Sequence, residues 1–465
     1  MSQAIVTESK LTAIGDAIRQ QLGTSTPYTL DEMATAIASI SGGGGGGDDD
    51  KFSVTVLDYD GTILDQVKLN DGDTYTLPTS PVHSGLTFLG WSCTETITSN
   101  TITVDKKDVL IGAYYTTTSG LTEIDLVIST SNQGIKLYAR NGDTVNWGDG
   151  NSDTATSAGY ITHTYTNAGS YMLTYNGTRI DCGAYSSSCF LHDSSSNYTD
   201  LTCVKAVRIS SNVTAVTGYS FYKTPNVKHV ILSSGVTDYG VNYLFYNTVC
   251  LKAVIFPSGV TKIGGFTNCF SLLYGVIPTT ATTAFTQCFS GTNIKYIFPT
   301  SLKTFYQQCF SSNTGAEKLI LNWSGITLNS DQHFRSCSTL KKVHLKVSIV
   351  SSSMFSYCYS LKEITLENTT QLSSSCFDRC FNLEKVTFPA SLTYIGSQSF
   401  RWCISMEEYD FTNFNSVPTL ANINAFDGMS NTCKIYVPDN LYSTWIAASN
   451  WSTYASHIYK ASERT

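Results

Sequence analysis

Cysteine and histidine are the residue types of this chain with the most chemistry to offer, because both bind metals and both serve in nucleophilic catalysis. The 465 residues include fourteen cysteines. Cys376 and Cys380 form a close pair, but no second pair lies near it. The histidines are scattered, without HxH or HExxH spacing, at His83, His163, His192, His229, His333, His344 and His457. Since no GxSxG or P-loop sequence occurs either, we predict no catalytic, metal or cofactor site.

Asp58 and Asp60 form the one arrangement that imitates a catalytic motif. They lie in the segment VTVLDYDGTIL, residues 54–64, which resembles the signature of haloacid-dehalogenase-type phosphatases. That resemblance implies a nucleophilic Asp58 and an acid/base Asp60 beside a magnesium ion. Such an enzyme needs a parallel sheet and a helix directly after the motif, whereas alternating residues and turn pairs such as Asp71-Gly72 predict β-hairpins. We therefore interpret Asp60-Gly61 as a hairpin turn and the chain as non-enzymatic.

The composition indicates a β-rich protein with an uncharged polar surface. Only 14% of the residues are charged, and 36 acidic against 29 basic residues give a net charge of −7. This balance disfavours binding to nucleic acid through phosphate neutralisation. No apolar run approaches the roughly 18 residues of a membrane span, and the N-terminus lacks the pattern of a secretory signal. We expect neither nucleic-acid binding nor membrane insertion.

An internal repeat organises the C-terminal half. The pattern F-x-x-C-x-x-L-x-x-[IVY]-x-[LF] holds without gaps from Phe334, Phe355, Phe377 and Phe400. Looser copies begin at Tyr198, Phe221, Phe245, Phe266, Phe285 and Phe305. Successive units therefore start 19 to 29 residues apart. Such a period, with apolar residues at fixed positions, predicts a solenoid.

The repeat also explains most of the cysteines. Thr224 and Thr248 hold the fourth position in early copies, and six cysteines are assigned to it, namely Cys269, Cys288, Cys337, Cys358, Cys380 and Cys403. We predict free, buried thiols that fill the core, with disulfides between coils and a metal site as the alternatives.

Residues 198 to about 411 resemble the BspA-like, treponemal-type leucine-rich repeats of bacterial surface proteins and phage virion proteins. In each unit the residues beside the inward strand positions should point outward and form rows across the coils. They make a candidate ligand-binding face of Lys342, His344, Glu363, Thr365, Lys385, Thr387, Glu408 and Asp410. The segment after the last unit resembles a helical cap, in which Asp439 would cap a helix that carries Leu441, Trp445 and Ala448.

Two further β modules precede the repeats. Residues 52–117 resemble the β-grasp repeats of internalin-type surface proteins, with the ending Gly85, Phe88, Gly90 and Trp91. The next segment resembles the immunoglobulin-like sandwich of the polycystic-kidney-disease (PKD) type, through Trp147, Gly148, Asp149, Gly150, His163, Tyr165, Gly169 and Tyr171. Asp149, Asn151 and Asp153 alternate like a calcium loop, but Thr154 and Tyr160 replace the expected Gly and Glu, so we favour an Asx-rich turn.

The first 41 residues predict two short helices, each with one narrow apolar stripe. The stripes consist of Leu11, Ile14, Ile18 and Leu22, and of Leu30, Met33, Ile37 and Ile40. They predict a segment for virion anchoring or oligomerisation, or else a hairpin packed on the next domain. Gly42 to Gly47 then form a tether. The segments KLTAIGDAIRQQLG and YTLDEMATAIASI resemble the head of many phage structural proteins.

Together these features predict a multi-domain, mostly β protein. Its expected units are a helical anchoring segment (1–41), a Gly/Asp linker (42–51), a β-grasp module (52–117), a PKD-like module (118–179), the leucine-rich-repeat solenoid (180–436) and a helical cap (437–465). The resemblances imply a phage fibre or receptor-binding protein without cofactors. It would be made in the host cytoplasm, reach the virion surface, bind other virion proteins and a host glycan or protein, and act as a homo-oligomer. A head-fibre or capsid decoration and a bacterial surface adhesin are the alternatives.

Overall fold

The computed structural model describes residues 51–182, 190–193 and 201–464. The predicted helices of residues 1–41, their eight stripe residues, most of the Gly/Asp linker and the repeat start at Tyr198 lie outside the described residues. Within the described part the fold is mostly β, as predicted, with a β-solenoid that ends in a short helix. No helix of this part is long and apolar enough to cross a membrane.

The first module is a four-stranded sheet with a parallel pair at its centre. Its strands, with the small β3·β5 pair, are β1 (Phe52–Leu57), β2 (Ile63–Leu69), β3 (Thr74–Thr76), β4 (Leu86–Cys93), β5 (Thr101–Thr103) and β6 (Val109–Thr117). The sheet order is β2-β1-β6-β4, in which β1 and β6 run parallel. Val54, Val56, Val109 and Ile111 alternate with residues of the opposite face and are fully buried.

The second module is a two-layer sandwich. Its strands are β7 (Thr122–Ile128), β8 (Gln133–Ala139), β9 (Thr144–Asn146), β10 (Ser152–Thr154), β11 (Gly159–Tyr165), β12 (Gly169–Tyr175), β13 (Arg179–Ile180) and β14 (Leu191–Asp193). One layer has the order β10-β9-β12-β7 and the other β11-β8-β14, while β13 pairs with a later strand. Trp147 and Tyr165 are fully buried, and the Tyr165 hydroxyl donates to the Trp147 carbonyl at 2.8 Å.

The sandwich and the solenoid share one sheet. β15 (Val204–Arg208) pairs antiparallel with β7 of the sandwich and parallel with β17 (His229–Ile231) of the next coil. A single hydrophobic core accordingly runs from Ile124 to Ile458. The sheet therefore crosses the expected boundary at residue 180 without interruption.

The coil that follows Phe289 runs from 292 to 299 without a strand, and all the other described coils contribute a strand to one long face, here called the strand face. After β15 and β17 its strands are β18 (Ala253–Ile255), β20 (Tyr274–Val276), β23 (Lys318–Leu321), β25 (Lys342–Lys346), β27 (Glu363–Glu367), β29 (Lys385–Thr387), β31 (Glu408–Asp410), β33 (Lys434–Val437) and β34 (Ile458–Lys460). A second row of two-residue strands comprises β16 (Ala215–Val216), β19 (Lys262–Ile263), β21 (Thr283–Ala284), β22 (Thr304–Phe305), β24 (Thr327–Leu328), β26 (Ile349–Val350), β28 (Gln371–Leu372), β30 (Tyr394–Ile395) and β32 (Thr419–Leu420).

A column of ten phenylalanine rings forms the axis of the core. Consecutive centroids lie 4.9 to 5.9 Å apart, and the rings are nearly parallel, for example 5.7 Å and 8° between Phe334 and Phe355. The column consists of Phe221, Phe245, Phe266, Phe289, Phe310, Phe334, Phe355, Phe377, Phe400 and Phe426.

Two repeat starts assigned from the sequence, Phe285 and Phe305, are wrong. The rings that stack are Phe289 and Phe310, because only these lie at the axis between their neighbours in the column. Cys288 therefore does not hold the fourth position, which Thr292 takes in that coil. Phe426, which stacks on Phe400 at 5.5 Å, begins a further unit that the pattern missed.

The C-terminal cap closes the end of the core. It comprises three 3₁₀ turns, η1 (Asp439–Leu441), η2 (Trp451–His457) and η3 (Ala461–Glu463), and one helix, α1 (Tyr442–Ala447). Trp445 and Trp451 are fully buried, and Trp451 covers the last ring of the column, Phe426, at 5.6 Å. The expected helix cap at Asp439 is wrong: a 3₁₀ turn precedes α1, so Leu441 is its N-cap, and the Asp439 carboxylate accepts from the Ser462 N–H at 3.0 Å.

Candidate functional site

The eight predicted ligand-binding residues lie on the strand face and point away from the core. Their inward neighbours Val343, Ile364, Val386 and Tyr409 are buried, whereas the eight are exposed or half-buried. Parallel pairing places them in rows, with Lys342 opposite Glu363 and Glu363 opposite Lys385, and with His344 opposite Thr365 and Thr365 opposite Thr387. The register of the solenoid thus converts single residues into two polar rows.

Some polar side chains of these rows bond to neighbours on the strand face. Lys342 Nζ lies 3.1 Å from a Glu363 carboxylate oxygen, and His344 Nε2 lies 2.6 Å from Glu367 Oε1. An exposed ion pair such as that of Lys342 with Glu363 contributes about 0–1 kcal/mol. A ligand can therefore exchange such a pair at small cost.

Two hollows lie on this face. A cavity of about 440 Å³ at its C-terminal end is lined by Lys385, Thr387, Glu408, Asp410 and Arg464 among others. A smaller one of about 130 Å³ lies beside Lys342, His344, Glu363 and Thr365. Together they contact all eight predicted residues.

Arg464 lines the larger hollow, although no pattern in the sequence predicts it. Its guanidinium pairs with Asp410 at 2.7 Å and with Glu408. Burial alone would raise the pKa of Asp410, but hydrogen bonds from Thr412 and the Arg464 guanidinium hold it below its ordinary value. A residue 54 positions from Asp410 reaches it only because the cap folds back along β33 and β34.

The first module covers the N-terminal part of the strand face. β6 packs on β17, β18 and β20, and Leu57 and Leu110 are buried there against Ala253, Ile255 and Val276. The Tyr114 hydroxyl lies 2.8 Å from Ser258 Oγ, and Lys107 Nζ donates to the Phe298 carbonyl at 3.2 Å. The part of the face left uncovered begins near β23 and holds the predicted residues.

The two carboxylates of the phosphatase-like motif are hydrogen-bonded within the first module. Asp58 is buried, its Oδ2 lies 2.8 Å from His83 Nε2, and its Oδ1 accepts from the Tyr59 N–H. Asp60 accepts from the Thr62 N–H at 2.9 Å in the turn between the antiparallel strands β1 and β2, as predicted. A strand, not a helix, follows the motif, so the two carboxylates lack the expected catalytic surroundings.

The acidic turn of the sandwich is also internally satisfied. Asp149 Oδ1 accepts from the Asn151 N–H at 3.1 Å, which makes the predicted Asx turn. Asp149 Oδ2 lies 2.7 Å from His163 Nε2, and the Asp153 carboxylate accepts from Trp147 Nε1 at 2.7 Å. In the described part of the chain no group of three His, Cys, Asp or Glu residues is arranged to hold a metal ion.

The six repeat cysteines are buried and free, as predicted, and five of them hold the predicted fourth position. Cys269, Cys337, Cys358, Cys380 and Cys403 hold the fourth position, and none of the cysteines in the described ranges forms a disulfide. Cys288 instead shares a second column with Cys309 and Cys376, directly before the stacked phenylalanine, and all three are buried. Burial raises the pKa of the Cys269 thiol to about 12.

Comparison with solved structures finds weak overall likeness to other repeat proteins. A leucine-rich repeat protein from Eubacterium ventriosum is 19% identical over 47% of this chain and 69% of its own, with a TM-score of 0.37. One from Bacteroides ovatus is 19% identical over 61% and 91%, with a TM-score of 0.37. A leucine-rich cell surface protein from Faecalibacterium prausnitzii is 16% identical over 56% and 80%, with a TM-score of 0.31. No curated protein matches the chain.

The family comparison is decisive for the repeats. The BspA type leucine rich repeat region matches residues 193–317, 264–371 and 348–449, in six copies. These matches together span more than half of the 465 residues and coincide with the coils described above. The chain therefore belongs to the BspA-type leucine-rich repeat family.

Proposed function

We propose that this chain is a non-enzymatic phage fibre or receptor-binding protein whose repeat domain adheres to the host cell surface. The observation that carries the proposal is the pair of polar rows on the uncovered part of the strand face. They run in register across β25, β27 and β29 and end in a hollow of about 440 Å³. A repeated polar surface of this kind suits a repetitive ligand such as a cell-surface glycan.

The phage assignment is supported by residues 1–41, whose sequence resembles the head of phage structural proteins. We propose that their apolar stripes anchor the chain to other virion proteins and join copies of it. Several copies on one particle would raise the effective affinity of a weak face through avidity.

We also propose that the two preceding modules are of the β-grasp and PKD types. The β2-β1-β6-β4 order with its central parallel pair and the two-layer sandwich support these assignments. Because the first module packs on the solenoid and the second shares a sheet with it, both would move with the repeat domain as one arm.

Adsorption of the full chain to cells tests the proposal. Thr387→Arg would place a long cation at the centre of the strand face, where we expect it to abolish adsorption of the labelled protein to a panel of Gram-positive gut bacteria. Thr419→Arg is the matched control, since Thr419 is equally exposed but lies on β32 in the second row of strands. If wild-type protein adsorbs to no strain and does not compete with phage, a head-fibre or capsid decoration replaces the proposal. Adsorption without any phage partner favours a bacterial adhesin.

A further inference from the structure

The second residue after each stacked phenylalanine has a left-handed backbone. Five consecutive coils place a small or amide residue there, with φ between 56° and 68°, namely Asn247, Asn268, Gly291, Ser312 and Ser336. The next three coils place Tyr357, Arg379 and Trp402 at the same position, with φ of 66°, 60° and 61°.

These three large residues are costly choices for the backbone. Left-handed φ brings the β-carbon close to the following carbonyl, and glycine or asparagine tolerates this best. Three successive bulky residues in this conformation indicate that their side chains serve a purpose of their own. Six other coils form with Asn, Ser or Gly at this position, so the solenoid does not require a large side chain there; Lys223, in the first coil of the column, is the one further large residue.

These side chains and their neighbours make an aromatic and cationic surface, here called the aromatic ridge. It consists of Arg335, Tyr357, Tyr359, Arg379, Phe381 and Trp402. The guanidiniums of Arg335 and Arg379 lie 4.9 and 5.2 Å from the centre of the Tyr357 ring. Tyr359 stacks on Phe381 at 5.3 Å and 9°, and Tyr359 is 43% exposed.

The ridge continues into the next coil. The Arg379 N–H donates to the Arg401 carbonyl at 2.7 Å, which sets the register between them. Trp402, 45% exposed, follows directly, and its indole rests on Gly428, where an added β-carbon would meet the ring at 3.0 Å.

The two arginines of the ridge carry unpaired charge. Arg401 is held by Asp378 through two hydrogen bonds of 2.8 and 2.9 Å, but neither Arg335 nor Arg379 has a carboxylate within 4 Å among the residues that the structure describes. In a chain with a net charge of −7 this is a local cationic surface. Guanidinium groups bind carboxylate and phosphate groups in bidentate fashion, so the ridge is complementary to an anion.

We infer that the aromatic ridge binds an acidic polysaccharide. Its exposed rings offer stacking surfaces for the apolar faces of sugar rings, and its arginines offer donors for the acidic groups. The neighbouring column of Ser353, Ser375 and Gln398 supplies hydroxyl and amide groups for sugar hydroxyls. Serine is depleted in protein interfaces, so this column favours a sugar ligand. The ligand class is a polymer that carries carboxylate or phosphate groups along its chain.

This inference rests on the adhesive function proposed above, but it concerns a separate site. The ridge lies in the turns before the strands, whereas the proposed face lies on the strands themselves; Tyr359, for example, precedes β27 by four residues. The two sites can therefore be disabled independently.

The test measures equilibrium binding of the full chain to polygalacturonate, which carries carboxylates, and to a phosphomannan, which carries phosphates, with dextran as the neutral polymer. Arg379→Asn and Trp402→Asn remove the large side chains while they keep a residue that this position holds in Asn247 and Asn268. We expect each variant to bind the acidic polymers about tenfold more weakly, with unchanged thermal stability. Lys223→Asn is the matched control, because Lys223 is a cation at the same position in a distant coil, and it should bind like wild type.

Equal binding of Arg379→Asn and Lys223→Asn, or binding of dextran as tight as that of the acidic polymers, overturns the inference. Binding of one acidic polymer alone supports it and identifies carboxylate or phosphate as the source of the anion. A full chain that adsorbs to cells but binds neither acidic polymer refutes the ridge and leaves the proposed function standing. Conversely, if Thr387→Arg still binds the acidic polymers but neither this variant nor the wild type adsorbs to cells, the ridge stands and the proposed function fails.

Discussion

The thiol of Cys358 donates a hydrogen bond to the main-chain carbonyl oxygen of Phe334, one coil earlier, at 3.2 Å. The same bond recurs from Cys337 to Phe310 at 3.3 Å and from Cys380 to Phe355 at 3.2 Å. Cysteine suits this position because it combines a small apolar volume with a weak donor. The cysteine column is therefore part of the bonding between coils.

This bonding predicts that the native thiols are unreactive. Cys250 is half-buried and Cys189 lies outside the described residues, while the remaining twelve are buried. We expect a thiol reagent to label no more than these two cysteines in the native protein and all fourteen in denaturant. Mass spectrometry after labelling gives the count. Rapid labelling of Cys358 or Cys380 without denaturant contradicts the packing described.

Burial of the thiols also predicts a loss of stability at alkaline pH. Burial raises the pKa of Cys269 and of Cys376 from 9.0 to about 12. Below pH 9 both states keep the proton and the full stability is present; above it the unfolded chain ionises first. The free energy of unfolding should then fall between pH 9 and 12, by about 1.4 kcal/mol per pH unit for each such thiol.

Denaturant titration at pH 7.5, 9 and 10 measures this fall. Cys269→Thr serves as the control, because Thr248 holds the same position in the preceding coil and threonine does not ionise. The variant should lose stability less steeply with pH than the wild type. If the free energy of unfolding falls equally with pH in the two proteins, these thiols do not cause the loss of stability at alkaline pH.

The phenylalanine column predicts a strong contrast between buried and exposed rings. Phe355→Ala should cost about 3–5 kcal/mol, because the ring is fully buried and stacks on both neighbours. Phe270→Ala, at a ring that is 53% exposed in the same solenoid, should cost less than about 1 kcal/mol. Chemical denaturation of both variants measures the two losses of unfolding free energy. Similar losses would mean that the phenylalanine column does not stabilise the core more than an exposed ring does.

Pattern reasoning recovered the solenoid because an inward residue must recur in every coil, and a recurring requirement is visible in a sequence. It failed where two phenylalanines lie close together in the sequence, as at Phe285 and Phe289. Sequence spacing alone cannot show which of the two rings lies in the phenylalanine column. It also missed Arg464, whose contact with Asp410 depends on how the cap folds back. The strand-face residues were accessible to prediction since alternation along a strand fixes which side chains point outward.

The docking of the first module was beyond pattern reasoning as well. Nothing in the spacing of Leu57 or Leu110 distinguishes a residue buried against another module from one buried in its own sheet. The sequence shows that Tyr357, Arg379 and Trp402 are large residues, but it does not show that their backbone is left-handed. Backbone conformation at non-glycine residues leaves little trace in a single sequence.

The interface between the first module and the solenoid depends on Gly112. A β-carbon there would meet Ile255 side-chain atoms at 2.7 to 2.9 Å, so the two surfaces cannot remain in contact unless one shifts. We expect Gly112→Ala to loosen the docked module and to raise its rate of proteolysis between residues 117 and 122. Gly159→Ala is the control, because an added β-carbon there has no neighbour within 4 Å. Identical proteolysis of both variants would show that the interface tolerates the methyl group.

The pair of Asp58 and His83 separates a structural role from a catalytic one. Asp58→Asn keeps an acceptor for the Tyr59 N–H but replaces the charged partner of His83 by a neutral amide in a buried site, and we expect the weaker hydrogen bond to cost about 1–3 kcal/mol. Asp60→Asn should be nearly neutral, because the amide oxygen can still accept from the Thr62 N–H. The wild type and Asp60→Asn should therefore melt at a higher temperature than Asp58→Asn, while none of the three proteins hydrolyses p-nitrophenyl phosphate in the presence of magnesium.

A phosphatase would instead need both carboxylates for turnover, whatever the effect of each on stability. Hydrolysis by the wild type that both substitutions abolish would overturn the proposal that this chain is not an enzyme.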